Sequence, residues 1–102
     1  MNEQYTAPQS ITIHKTPLTS QFLTIDIQAN REAMRTLSGC AYKIYIYLCE
    51  NKDAYTFAPS KQTICTAIGI SPRSYTNAKN ELIQKGYLTT TQDGNLIFSD
   101  KA

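Results

Sequence analysis

The chain has no tryptophan, a single histidine (His14), and only four glycines and four prolines in 102 residues. One histidine, placed in a Gln/Thr/Ser/Pro-rich stretch, supports no Ser–His–Asp or Cys–His arrangement. The scattered glycines form no loop able to cradle a phosphate. The cysteines Cys40, Cys49 and Cys65 include no C-x-x-C pair. Cys40 and Cys49 are nine positions apart, which in one helix separates them by more than ~10 Å along the axis and argues against a shared metal. The seven tyrosines are accompanied by no arginine cluster that would hold a phosphate transition state. No apolar run approaches the roughly 20 residues of a membrane span. The opening MNEQYTAPQS lacks the basic-then-apolar pattern of a secretory signal. These absences predict a cytoplasmic protein that is not an enzyme, with no cofactor, metal, membrane partner or small-molecule substrate. An odd number of widely spaced cysteines reads as reduced thiols serving as small buried apolar residues.

Neither sign of charge dominates, since ten Lys and Arg face eight Asp and Glu, for a net +2. Residues 1–59 balance (Lys15, Arg31, Arg35, Lys43 and Lys52 against Glu3, Asp26, Glu32, Glu50 and Asp53). The excess lies in 60–102, where Lys61, Arg73, Lys79, Lys85 and Lys101 face Glu81, Asp93 and Asp100. The length suits one domain with a modest core. We expect a flexible arm over 1–20 and a folded domain over 21–100. Within the arm, Ile11 and Ile13 alternate with Thr12 and His14, a pattern also open to a short edge strand.

Residues 22–27, FLTIDI, alternate Leu23, Ile25 and Ile27 with Thr24 and Asp26, which predicts a strand. Residues 29–35 form helices readily but carry a weak stripe, and predict a helical turn. Ser38 is placed to cap a helix over 39–50, with Ala41, Ile44, Tyr45 and Leu48 inward. Tyr42 and Tyr47 fall off that stripe, as half-exposed rings or as part of a partner surface. Tyr55 and Phe57 are expected to pin the loop 51–58 to the core.

The chain is organised around residues 59–88, PSKQTICTAIGISPRSYTNAKNELIQKGYL. Ser60 can cap one helix, and Ser71 followed by Pro72 opens a second. Gly69 between them suits a left-handed turn residue, and Gly86 ends the second helix. Cys65, four before Gly69, lets the helices approach, and Ile64, Ile68 and Ile70 fill their angle. The segment YLTTTQDGNLIFS then reads as a hairpin, strand over 87–91, turn at Asp93-Gly94 with positive φ at both, return over 96–99.

Pro59, Ser60, Ile64, Ala67, Gly69, Ile70, Ser71, Arg73, Glu81, Leu82, Gly86, Tyr87 and Leu88 together resemble the winged helix-turn-helix domains of bacterial, plasmid and phage DNA-binding proteins, above all those that begin plasmid and phage replication initiators. The resemblance covers roughly residues 37–99. It implies a mainly α fold with a small β wing (α+β): three core helices, a C-terminal two-stranded wing, and a short N-terminal strand able to pair with the wing's base. Tyr75 stands where that family usually has a smaller aliphatic.

On the second helix, 72–85, Tyr75, Ala78, Leu82 and Ile83 face the core by spacing, and Arg73, Thr76, Asn77 and Asn80 face away. Taken alone, that is a solvated polar face. In the fold implied by the resemblance it is the face offered to a major groove. Arg pairs bidentately with guanine and Asn with adenine, so we assign base reading to Arg73, Ser74, Thr76, Asn77 and Asn80. Phosphate contacts are expected from Ser60, Lys61, Tyr75, Lys79, Thr89, Thr91 and Asn95. Asp93 at the wing tip is unfavourable beside phosphate.

These readings predict sequence-selective binding of double-stranded DNA, in transcriptional regulation or as a replication accessory. So little positive charge binds weakly as one copy, which predicts a homodimer through the first helix or the N-terminal strand. Small helix-turn-helix proteins of mobile elements that inhibit host enzymes, including CRISPR nucleases, give the alternative, a protein partner. Single-strand binding would need aromatics on the groove face, where only Tyr75 is a candidate.

Overall fold

In the computed structural model, residues 9–14, 23–50 and 59–102 are described. Four helices are followed by a hairpin: α1 (Ile27–Thr36), α2 (Gly39–Glu50), α3 (Lys61–Ile68), α4 (Pro72–Gln84), β1 (Leu88–Thr90) and β2 (Leu96–Phe98). The fold is mostly α with a small β wing.

The expected N-terminal strand is absent over its described part. Residues 23–26 are irregular and Ile27 begins α1. Asp26 decides this, because its carboxylate accepts from the Ala29 N–H at 3.0 Å and caps the helix. The apolar alternation that suggested a strand is not a buried face, since Ile27 is 65% exposed while Ile25 packs on the core. The inward stripe is Ala29, Ala33 and Leu37, spaced by four. The expected helical turn is thus a full helix, and the core has four helices instead of three. Residues 9–14 form no strand, and Ile11 and Ile13 are exposed there. Tyr55 and Phe57 lie outside the described residues.

α2 is the central element. The Ser38 hydroxyl accepts from the Ala41 N–H at 3.4 Å, and Ala41, Ile44, Tyr45 and Cys49 are buried. α4 lies against α2 through Ala78 and Leu82. Tyr45 is fully enclosed. Its ring meets Tyr87 and Phe98 edge-on at 5.5 and 5.7 Å, and its hydroxyl donates to the Asp100 carbonyl at 2.9 Å. Burial, then the nearby Cys49 and Asp100, push its phenol far above the ordinary value. This cluster fastens the wing to α2. Tyr42 stacks on Tyr45 at 6.0 Å and donates to Asn30 of α1, so it belongs to the packing between these helices.

The wing pairs antiparallel, with Leu88 opposite Phe98, Thr89 opposite Ile97 and Thr90 opposite Leu96. Its turn differs from the expected two-residue form. Gly94 alone has positive φ, and its N–H reaches the Thr91 carbonyl at 3.1 Å. The loop is therefore Gln92, Asp93 and Gly94 between the bonded pair Thr91 and Asn95, in which a turn precedes one left-handed residue.

Candidate nucleic-acid interface

The two helix starts fold as their sequences direct. Ser60 accepts from the Thr63 N–H at 3.1 Å, and Ser71 from the Ser74 N–H at 3.1 Å, with Pro72 in the first turn. Between them Gly69 is left-handed at φ 71°. The N–H groups of Gly69 and Ile70 both reach the Cys65 carbonyl, at 2.9 and 3.1 Å, and close α3 in a tight turn. Ile64 and Cys65 are buried there, and Ile68 and Ile70 pack on the core. Beyond this turn the first two turns of α4 leave Arg73, Thr76 and Asn77 exposed while Ala78 is buried and Tyr75 half-buried.

Arg73, Asn77 and Asn80 are exposed on one face of α4, opposite buried Ala78 and Leu82. None of the three side chains makes a hydrogen bond or ion pair among the described residues. Thr76 flanks them and is exposed, while Ser74 and Lys79 are half-buried at the edges. The Ser74 hydroxyl accepts from Ser71 at 3.0 Å. Glu81, the single acid of α4, is turned away from this face. It accepts from the Ser38 N–H at 2.8 Å and the Ser38 hydroxyl at 2.7 Å, with Lys85 at 3.3 Å. Burial opposes its charge, but the Ser38 and Lys85 bonds outweigh it and hold the carboxyl below its ordinary value. The presented face therefore carries donors and amides with no acid among them.

Lys61, at the start of α3, reaches across to α4. Its ammonium donates to the Thr76 hydroxyl at 2.9 Å and lies 5.8 Å from the centre of the Tyr75 ring. Tyr75 is half-buried, and burial, then the Cys65 thiol, push its phenol upward, which keeps it a neutral hydroxyl. The structure thus brings Lys61, Tyr75 and Thr76 together, with Ser60 next to Lys61 in the chain, and Lys61 also lines an open groove with Cys65, Ile70 and Pro72. The wing residues are placed apart from them. Thr89 is exposed, whereas the Thr91 hydroxyl closes the wing turn with Asn95, accepting from its N–H at 3.1 Å and donating to its carbonyl at 3.3 Å. Asp93 is exposed at the tip.

Two interactions at this interface were not legible in the sequence. The Glu81–Ser38 contact spans 43 residues, and the Lys61–Thr76 contact joins two helices across the turn. Neither leaves a local pattern in the sequence.

A family model described as a helix-turn-helix domain matches residues 35–88. The chain belongs to that helix-turn-helix family. No curated protein and no solved structure matches it. The matched span runs from the end of α1 to the first residue of β1, so it holds α2, α3, the glycine turn and α4. A helix-turn-helix is a DNA-binding fold that sets its second helix in the major groove while the first crosses the backbone. In this chain the first helix of the motif is α3 and the second is α4. Among the described residues no helix is long and apolar enough to cross a membrane.

Proposed function

We propose that the protein binds duplex DNA sequence-selectively in the cytoplasm. It does so as a homodimer, in transcriptional regulation or as an accessory to replication of the kind found beside plasmid and phage initiators. α4 enters the major groove. Arg73, Asn77 and Asn80 read base edges, with Ser74 and Thr76 at the sides. Ser60, Lys61, Tyr75 and Lys79 meet phosphates next to the groove, and Thr89, Thr91 and Asn95 those under the wing. The reading is carried by one observation: three exposed side chains suited to guanine and adenine share one face of α4 and make no hydrogen bond or ion pair among the described residues.

The test is selection of bound sequences from random duplexes, followed by the Arg73→Ala/Asn77→Ala double variant. Each bidentate contact is worth about 1–3 kcal/mol of discrimination, so the variant should lose selectivity while its melting temperature barely moves. Binding should weaken steeply with salt as counterions are released. Equal binding of the selected site by the double variant would rule out this face. No retention on heparin or random duplex at low salt would favour the second reading, a protein-binding module. That reading draws on the acidic tip at Asp93 and the exposed Leu96 and Ile97 of the wing.

A further inference from the structure

We propose that Thr76 reads a thymine through its methyl group, and that Lys61 commits it to that role. The inference rests on α4 reading duplex DNA. A threonine hydroxyl has one proton to donate and two lone pairs to offer. The Thr76 proton goes to the Pro72 carbonyl at 3.2 Å. One lone pair is filled by the Lys61 ammonium at 2.9 Å, which the Tyr75 ring also holds. The remaining lone pair sits beside a cation, a poor place for the partly positive amino group of adenine or cytosine. Thr76 is nonetheless exposed, next to Asn77 and Asn80. What it has left to offer a base edge is the γ-methyl. The apolar feature of the major groove is the thymine C5-methyl, and threonine methyls are suited to it.

Binding of a phosphate does not undo this arrangement. Lysine has three N–H donors, and Thr76 uses one. The other two can meet a phosphate while the hydroxyl stays occupied. Lys61 thereby joins a sequence-independent contact to a sequence-reading one. Arg73 and Asn77, lacking such a tie, keep their polar groups for hydrogen bonds.

The experiment takes a site selected from random duplexes and replaces each thymine in turn by deoxyuridine, which removes only the C5-methyl. Binding is measured at fixed salt for the parent protein, Thr76→Val and Thr76→Ser, each checked by thermal melting. One thymine position per half-site should respond. There, deoxyuridine should weaken the parent about three- to fivefold, the value of one buried methyl group. Thr76→Val keeps the methyl group and should keep that sensitivity. Thr76→Ser should bind thymine more weakly and become indifferent to the substitution. Loss of discrimination in Thr76→Val with its retention in Thr76→Ser would overturn the inference, as would thymine sensitivity that no change at position 76 alters. Failure of any duplex to be selected would instead overturn the assignment of α4 to the groove, and this inference with it.

Discussion

The two ends of α4 are held by different chemistry. The far end is tied into the body of the protein. Glu81 accepts two bonds from Ser38 of the α1–α2 junction, Lys85 donates to the Thr36 carbonyl, and Leu82 is fully buried. Gly86 at φ 88° then turns the chain, with the Tyr87 N–H on the Leu82 carbonyl at 3.0 Å and the Gly86 N–H on Ile83 at 3.2 Å. The near end is held by its own Ser71 cap, by Tyr75 packed on the core and Ala78 buried in it, and by Lys61, an exposed side chain that makes a polar tie to it from α3. The axis and roll of α4 are therefore set without using Arg73, Asn77 or Asn80. Such an arrangement presents Arg73, Asn77 and Asn80 on a helix that is already in position, which lowers the ordering cost of binding.

That contrast is broken most severely by Leu82→Ala. The side chain is 0% exposed between α4 and α2, and such truncations cost about 2–5 kcal/mol. Urea denaturation should show the loss, and a cost below about 1 kcal/mol would mean that the far end is not the anchor. Glu81→Gln should come next, at about 1.5 kcal/mol, because it keeps the shape but weakens charge-assisted bonds. It also has a pH signature. Ser38 and Lys85 hold the folded Glu81 below its ordinary 4.5 despite burial. Its stabilisation is thus complete above that value and is lost as pH falls below it, through the lower folded pKa. Denaturation midpoints followed from neutral pH into the acid range should fall less for Glu81→Gln than for the parent. Parallel curves would show that the carboxylate adds nothing.

Gly69→Ala tests the approach to the near end. A side chain there meets open space, so the cost is that of the left-handed backbone alone, about 1 kcal/mol. Thermal melting should register it, and no shift would mean that the turn relaxes freely.

The helix-turn-helix was legible because its signals are local. Ser60, Gly69, Ser71-Pro72 and Gly86 each act within one turn of themselves, and each does so in the structure. Most inward residues of α2 and α4 followed from spacing, although Leu48 is only half-buried and Cys49 is buried in its place, and Tyr75 and Ile83 are half-buried at the edge of the core. α1 was misread because a cap and an alternation overlap at residues 23–27. Asp26 satisfies a helix start, while Leu23, Ile25 and Ile27 imitate a strand that has no partner among the described residues. The wing turn was misread because Asp-Gly suits two geometries, and the bonded pair Thr91 and Asn95 selects the longer one. At the candidate interface the exposed face of α4 was readable from periodicity. The engagement of Thr76, Lys61 and Thr91 was not, because hydroxyl and ammonium partners are chosen by tertiary geometry.

The smallest expected effect on stability, and the sharpest on the contrast, is Lys61→Met. Methionine keeps an apolar chain of similar reach over the Tyr75 ring and removes the ammonium. Lys61 is exposed, so its contacts to Thr76 and Tyr75 are in water, where such pairs contribute less than about 1 kcal/mol and often nothing measurable. The melting temperature should hardly move. DNA binding should respond, because one phosphate neutralisation is lost. Affinity should fall on every duplex, with discrimination relaxed at the thymine assigned to Thr76 and unchanged elsewhere, and the slope of log affinity against log salt should become shallower by about one. A variant as destabilised as Glu81→Gln would place structural weight on the near end and remove the asymmetry. An unchanged salt slope in a stable variant would leave Lys61 serving Thr76 and no phosphate.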